Sequence, residues 1–433
     1  MKVLVIGGGG REHALVWALG RSPRVHTLRC APGNAGTAAM AENVAISADD
    51  VDSLVDHAAA ERYDLVVVGP EGPLVAGLAD RLQDLHIPVF GPSAAASRME
   101  GSKVFSKEFM ARHRIPTAAF KVFRDEAEAR EYLLAADTAY PLVVKADGLA
   151  AGKGVILADT PEQAAEAASG MLAGRDFGEA GRVVVVEEML RGIEASFFVL
   201  ADGDNVVELA TCQDYKRALD GDQGLNTGGM GTYSPSAFLD EATRQTIVET
   251  VVNPTINGLQ AEGCAYRGVL FIGVMLTDEG PKVLEYNCRF GDPETQVLLP
   301  RLDGDWFDLL MASATGNLNK VRLSWLDQAA VCVVMAAGGY PGSYGKGEKI
   351  TGLEKAGAQD GVVVFHAGTS LDENGAVRTS GGRVLGVTAL GDDLPDAREK
   401  AYAASAAITW SGEQHRTDIA ADAAATLERT HES

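Results

Sequence analysis

Short apolar runs alternate with stretches of helical periodicity up to about Ser93, and each run stops at a Gly or Pro turn. KVLVIGGGG, VHTLRC, DLVVVGPEGP and IPVFGPS read as four buried strands, with helices over residues 11–19 and 49–62 between them. Right-handed crossovers make such a sheet parallel and gather the loops GGGGRE, APGNAGT, GPEGP and GPS at the carboxyl ends of its strands. Near Ser97 the pattern changes to a long helix, SKVFSKEFMARHR, stopped by the Ile115-Pro116 step, which disfavours continued helix. Next come the strands YPLVVKAD and GVILAD around a glycine turn, a helix over 161–172, and the strand RVVVVEEML. Two strand pairs follow, EASFFVLADGDNVVELA and RGVLFIGVMLTDEGPKVLEYN, and the polar stretch 213–234 between them reads as a long functional or mobile loop. From about Ala329 the strands AAVCVVMAAGG, GVVVFHAG and GRVLGVTALG precede an Ala-rich helix over 394–408, and the last two dozen residues read as solvated helix.

Composition narrows the class of molecule. A chain of 433 residues, 46% hydrophobic and 23% charged, is long enough for about three domains and excludes both wholesale disorder and a small stapled scaffold. Lys plus Arg number 38 against 60 Asp plus Glu, a net charge of −22, the wrong sign for binding nucleic acid or an anionic membrane. Five widely spaced cysteines predict free thiols in a reducing compartment and no zinc site. The apolar run at Met1 to Ile6 is too short for a signal peptide or a membrane span, so a cytoplasmic protein is expected.

Candidate chemistry begins with the loops. GGGGREH follows the first strand, but Glu12 stands where a dinucleotide loop has its third glycine, and Cys30-Ala31-Pro32 offers no acid for a ribose hydroxyl. These glycines can still admit a phosphate to backbone N–H groups, or simply form a tight turn. In LVVKADGLAAGKGVIL, Lys145 ends a strand and Lys153 sits in a glycine turn; Gly154 replaces the Ser or Thr of a Walker loop and a strand follows instead of a helix. Such a hairpin can fold over phosphates as a flap. VVVVEEML ends in Glu187 and Glu188, where burial demands a partner. A carboxylate beside strand-edge backbone suits an adenine, with Glu194 in reach of a ribose, and a solvated acid pair is the plain alternative.

KVLEYNCRFGDPETQ is the most specific segment. Extended backbone puts Glu285, Asn287 and Arg289 on one face and Leu284, Tyr286 and Cys288 on the other. A carboxylate and an amide oxygen suit Mg²⁺, which takes few protein oxygens and completes its shell with phosphates and water. Arg289 can fork onto a carboxylate or a phosphoryl group; the alternative is a salt-bridged edge strand. QDYKRALDGDQGLNTGGMG offers Asp214 and Lys216 on one face, then a tract with the composition of a loop that orders over a substrate. The eight histidines lack metal spacing, His13 reads as a helix-start residue, and no Ser-His-Asp or Cys-His set is evident.

Four motifs in order, GPEGPL (69–74), KADGLAAGKGV (145–155), DGDQGLNTGGMG (220–231) and RFGDPETQ (289–296), closely resemble the phosphoribosylamine–glycine ligases of purine biosynthesis, members of the ATP-grasp family, and the resemblance runs nearly end to end. It implies an α/β fold: an N-terminal parallel-sheet domain (1–102), α+β ATP-grasp central domains (103–190, with a phosphate flap, and 191–327, with the metal and glycine site), and a small C-terminal β-rich domain (328–433). The implied reaction joins glycine to 5-phosphoribosylamine through glycyl phosphate, with ATP consumed and Mg²⁺ or Mn²⁺ required. It implies Lys103, Lys145, Gly148, Gly152, Lys153 and Gly154 for the phosphates of ATP, Glu187, Glu188 and Leu190 for adenine, and Glu194 for ribose. Glu285 and Asn287 would hold the metal, and Arg289, Asp214 and Lys145 would carry catalysis. Gly9, Gly10, Arg11, Asn34, Gly36, Thr37, Glu71, Gly72 and Pro73, with Asp214, Lys216, Gly228, Gly229 and Arg289, would bind the small substrates. LFIGVML lacks the acidic ligand that many relatives carry on the strand before Glu285, which leaves the number of metals open. A monofunctional enzyme, monomeric or weakly dimeric, is expected. Another ATP-grasp ligase or carboxylase is the near alternative, disfavoured by the 213–234 tract; a noncatalytic nucleotide-binding module is disfavoured by intact Lys145, Glu285, Asn287 and Arg289.

Overall fold

The structure, a computed structural model, describes residues 1–149, 154–175 and 177–423. The first apolar runs form a five-stranded sheet in the order Glu42–Asn43, Thr27–Pro32, Lys2–Gly7, Leu65–Val68, Val89–Phe90, with every pairing parallel. Lys2–Gly7 lies at its centre with Val3 to Ile6 fully buried, as a continuous apolar run requires. The two-residue edge strand Glu42–Asn43 carries no apolar signal and arises from its neighbour's free edge.

Two antiparallel four-stranded sheets make the centre. One has the order Phe120–Phe123, Val184–Glu188, Leu142–Ala146, Val155–Ala158, and the other Val206–Glu208, Ile193–Asp202, Arg267–Thr277, Gly280–Asn287. Phe198 and Phe271 stack at 4.4 Å between centroids on the second sheet, in one core with Trp306 and Phe307 of the Trp306–Thr315 helix. Ser102 caps the Lys103–His113 helix and donates at 2.9 Å to Asp147 Oδ1, which also accepts from Val104 N at 2.8 Å. One acid beyond the Leu142–Ala146 strand thus fixes Lys103 beside Lys145.

The C-terminal strands Ala329–Ala337, Arg383–Gly391 and Val362–His366 and the Leu394–Ser405 helix follow the pattern of the sequence. Residues 213–234 depart from it. Instead of a loop they form Gln213–Asp214, Arg217–Leu219, Gln223–Asn226 and Gly231–Ser234, and the first and last of these extend the C-terminal sheet from Ala329–Ala337. Backbone pairing does not need apolar side chains, so periodicity does not reveal it. GPEGP is likewise more than a turn, since Glu71, Gly72 and Pro73 open the short helix Glu71–Val75. The expected solvated tail is corrected as well. Glu413–Gln414 pairs with the C-terminal sheet, Arg416 is buried, and Ile419, Ala420 and Ala423 enter the C-terminal core. Residues 424–433, the rest of that expected helix, lie outside the described residues. No described helix is long and apolar enough to cross a membrane, and all five cysteines are free.

The first and last lobes meet at a histidine pair, buried His13 and half-buried His366. His366 N donates at 2.7 Å to His13 Nδ1, and Asn34 Nδ2 donates at 2.8 Å to the His366 carbonyl. Burial, and for His13 also its neighbour His366, lowers the two rings from 6.5 to about 3 and about 4. Above pH 6.5 both are neutral whether folded or unfolded; as the pH falls, only the unfolded chain takes up these protons, so stability declines until the folded values are reached. Urea midpoints at about pH 7 and about pH 5 are expected to show this loss, and His13→Gln to reduce it by roughly the share of one proton.

Candidate active site

The Gly280–Asn287 strand keeps the alternation of its sequence. Tyr286 and Cys288 are buried on one face, where the Tyr286 hydroxyl meets Thr255 Oγ1 at 2.7 Å. On the other, Glu285 opens into a cleft with 45% of its side chain exposed, and Asn287 is buried with no partner for its Nδ2 among the described residues. Across the ladder from Glu285 the neighbouring strand presents Gly273, without a side chain.

Cations surround Glu285. Withdrawal from bulk water would raise its carboxyl, but Lys216, Lys145, Lys103 and Arg289 outweigh that and hold it below the usual range. Lys216 Nζ stands 4.0 Å from Glu285 Oε1 and pairs with Glu194. Burial would lower Lys216, yet Glu194, Glu285 and Asp214 raise it above the ordinary lysine value. Lys145 Nζ lies 3.0 Å from Glu187 Oε1, and Lys103 Nζ donates to the Gly148 carbonyl at 3.3 Å. Arg289 bridges two acids, Nε to Glu71 Oε2 at 3.2 Å and Nη2 to Glu100 Oε1 at 2.8 Å. Burial opposes its charge, but Glu100 and Glu71 hold it fully protonated.

A second wall comes from the N-terminal loops and the segment after Arg289. Arg11 pairs with Glu12 at 2.5 Å and donates to the Phe290 carbonyl at 3.1 Å, while Gly9 N donates to Glu12 Oε2 at 2.6 Å. Asn34 Nδ2 reaches the Gly8 carbonyl at 3.0 Å. Arg383 donates to the carbonyls of Asp292 at 2.6 Å and Gly229 at 3.3 Å, and also to that of Gly228. Burial and the Glu294 carboxylate push Asp214 well above the usual carboxylate range, and burial raises Glu294 as well.

Three family models cover most of the chain. Residues 1–100 match the Phosphoribosylglycinamide synthetase N domain, 101–295 its ATP-grasp (A) domain and 330–422 its C domain. The phosphoribosylamine–glycine ligase of Salmonella typhimurium is 50% identical over 422 residues, 97% of this chain and 98% of that protein. This chain belongs to the phosphoribosylamine–glycine ligase family. Among solved structures, the family's enzyme from Thermotoga maritima superposes with a TM-score of 0.85 at 34% identity, over 97% of this chain and 100% of that one. The biotin carboxylase domain of Hydrogenobacter thermophilus 2-oxoglutarate carboxylase shares the fold at 17% identity, with a TM-score of 0.70 over 95% and 91% of the two chains.

In this family member the expected site residues are distributed unevenly. Lys103, Lys145, Lys216 and Arg289 all act on Glu285, and Glu194 and Asp214 join the group through Lys216. Glu187 is buried, with Lys107 at 2.9 Å and Lys145 at 3.0 Å from its Oε2, while its Oε1 has no hydrogen-bond partner among the described residues. Glu188 is exposed and accepts from Ala119 N at 2.9 Å; half-buried Leu190 follows the strand end. Thr37 is fully buried, with its hydroxyl committed to Asn34 and Asn43, and Gly36 is walled in by His13 and His366. Pro73 is buried within the Glu71–Val75 helix, and Gly72 beside it faces Asp49. Gly148 and Gly154 bracket the glycine turn, their backbones tied to Ala180 and Ala146; Gly152 and Lys153 lie outside the described residues. Unanticipated participants are Glu100, Lys107 and Arg383, which carry no local signal, and Asp292 and Glu294, which sit inside the RFGDPETQ motif.

Gly229 has a φ of +111°, and an added Cβ would stand 2.5 Å from Pro293 Cδ and 2.7 Å from Asp214 Oδ1. Gly229→Ala must therefore displace the tract from Asp214 and Pro293, with a fall of about tenfold or more in kcat/KM at nearly unchanged secondary structure, checked by steady-state kinetics and circular dichroism.

Proposed function

We propose that the cleft carries out the family's ligation in two steps. The carboxylate of glycine takes the γ-phosphoryl group of ATP, giving glycyl phosphate and ADP. The amine nitrogen of 5-phosphoribosylamine then attacks the acyl carbon, loses a proton and expels phosphate, leaving the amide of glycinamide ribonucleotide. The observation that carries this reading is the ring of Lys103, Lys145, Lys216 and Arg289 around the open Glu285 carboxylate in a chain of net charge −22. Such a cluster opposes the global field where phosphates must gather.

In this reading Lys103 and Lys145 neutralise the phosphates of ATP, and the backbone of residues 187–190 receives adenine. Arg289, already forked between two acids, orients the glycine carboxylate or its acyl phosphate, and Glu194 fixes Lys216 beside it. Asp214, Gly228 and Gly229 and the Gly9, Arg11, Asn34 and Glu71 loops present the amine substrate to that carbon. Catalysis then rests mainly on positioning and charge neutralisation. The donor set fits a divalent metal through oxygens, the accessible Glu285 carboxylate and the Asn287 amide oxygen on the same strand face; the Asn287 Nδ2, without a partner among the described residues, is a donor and suits an anion beside it. These two residues would hold Mg²⁺ or Mn²⁺, which supplies further charge neutralisation at the phosphates.

The test is ADP release with Mg²⁺ and ATP, supplying glycine and freshly made phosphoribosylamine together and then omitting each in turn. ADP formed only with both is expected; turnover with a different acceptor would transfer the cleft to another ATP-grasp reaction. Glu285→Gln is expected to remain folded and lose about 100-fold or more in turnover. Wild-type rates with unchanged Mg²⁺ dependence would remove Glu285 from the metal site.

A further inference from the structure

Lys107 follows Lys103 by one turn on the Lys103–His113 helix, and 3% of its side chain is exposed. None of the steps above uses it. Its contacts nonetheless close a circuit between the two central sheets. Lys107 Nζ lies 2.9 Å from Glu187 Oε2 and donates at 2.7 Å to Thr117 Oγ1, and the Thr117 hydroxyl donates at 2.7 Å to the Val283 carbonyl. From the other side Lys145 Nζ lies 3.0 Å from Glu187 Oε1 and reaches the Leu284 carbonyl at 3.5 Å. Val283 and Leu284 immediately precede Glu285. The circuit therefore runs from the strand that carries Glu285, through Thr117, Lys107, Glu187 and Lys145, and back to the same strand.

The charges explain why a second lysine is needed. Alone with Lys145, the Glu187 carboxylate would form a one-to-one buried pair and cancel the charge that faces the cleft. With Lys107 2.9 Å and Lys145 3.0 Å from the same Oε2 the carboxylate is shared, and the cluster keeps one ammonium in excess. Glu188 adds a more distant negative charge, and the Phe120 ring stands 5.9 Å from Lys107 Nζ. Burial presses Lys107 down to about 8, partly offset by Glu187, as expected for a cation surplus in a desolvated pocket. An anion arriving at Lys145 relieves that surplus.

We propose that Lys107 is a positioning residue for the nucleotide phosphates: by sharing Glu187 it leaves that carboxylate only partly committed to Lys145 and fixes Lys145 at a set distance from the Glu285 strand. The proposal rests on the reading of Lys145 as a phosphate ligand. It is tested on the full chain by calorimetric titration with MgATP in the absence of glycine, using Lys107→Met, Lys145→Met and the double variant. Lys107→Met is expected to weaken binding by about tenfold with the KM for glycine unchanged, and to have less than about a twofold effect once Lys145 is Met. Thr117→Val keeps both charges, breaks the link to Val283, and is expected to weaken MgATP binding by about threefold; it serves also if Lys107→Met fails to fold. Additive losses in the two lysine variants, or wild-type affinity in Lys107→Met or Thr117→Val while Lys145→Met binds weakly, would overturn the role of Lys107. Unaltered affinity in Lys145→Met would instead remove the phosphate-site reading itself.

Discussion

Lys103, Lys145, Lys216 and Arg289 converge on the Glu285 carboxylate in a chain whose net charge is −22, and each of them is restrained by a further acceptor. Lys103 has the Gly148 carbonyl, Lys145 has Glu187, Lys216 has Glu194, and Arg289 has Glu71 and Glu100. Free lysine side chains would carry their rotamer entropy into every encounter with an anion, whereas restrained ones meet it already in place. The restraint has an electrostatic cost, because each acid also subtracts from the field at the cleft. Sharing moderates that cost. Glu187 lies between two lysines and Arg289 between two acids, so orientation and net charge are set by separate partners.

Residues 288–293 are where the remote parts of the fold acquire a common register. Cys288 N donates to Glu100 at 2.7 Å, Arg289 reaches Glu71, the Phe290 carbonyl accepts from Arg11, and Asp292 takes Gln296 at 2.7 Å and Arg383. The helices that follow two strands of the parallel sheet, the helix ending at Gly101 and the C-terminal sheet thus all touch one short segment that leaves the Glu285 strand. Its polar groups are buried and must be paired, which makes the segment intolerant of small shifts in any of these partners.

Much of this was legible in the sequence. Apolar runs located the long strands, because burial on one or both faces dictates their composition, and alternation correctly opposed Glu285 and Asn287 to Tyr286 and Cys288. The glycine loops were recognised as one edge of the parallel sheet, where Asn34 does meet Gly8. What stayed hidden depends on partners far away in the chain. Glu100 is 188 residues from Cys288, and Arg383 is 91 from Asp292, and neither has a distinctive neighbourhood. Nothing in SKVFSKEFMARHR marks Lys107 as buried, because its partner Glu187 comes from a strand much later in the chain. Strands such as Gln213–Asp214 are held by backbone pairing, through Gly231–Ser234, to a sheet whose remaining members lie much later in the chain.

The DGDQGLNTGGMG motif illustrates how one conspicuous segment divides its labour. Its acids turn away from the cleft: Asp220 accepts from Thr417 N at 2.7 Å, and Gly221 N donates to Asp418 Oδ2 at 2.8 Å. Buried Arg416 joins that group, pairing with Asp418 at 2.7 Å and donating to the Arg217 carbonyl at 3.1 Å. At the other end Gly228 and Gly229 give their carbonyls to Arg383 and lie against Pro293 and Asp214. The hairpin between Arg217 and Asn226 is therefore anchored at its tip and at its base, with Lys216 at the start of it facing Glu285. An unanchored glycine-rich tract would have to be ordered each time a substrate bound, and the loss would appear in affinity. Here that ordering is completed during folding by the C-terminal segment, so residues after about 410 bear on the cleft without approaching it.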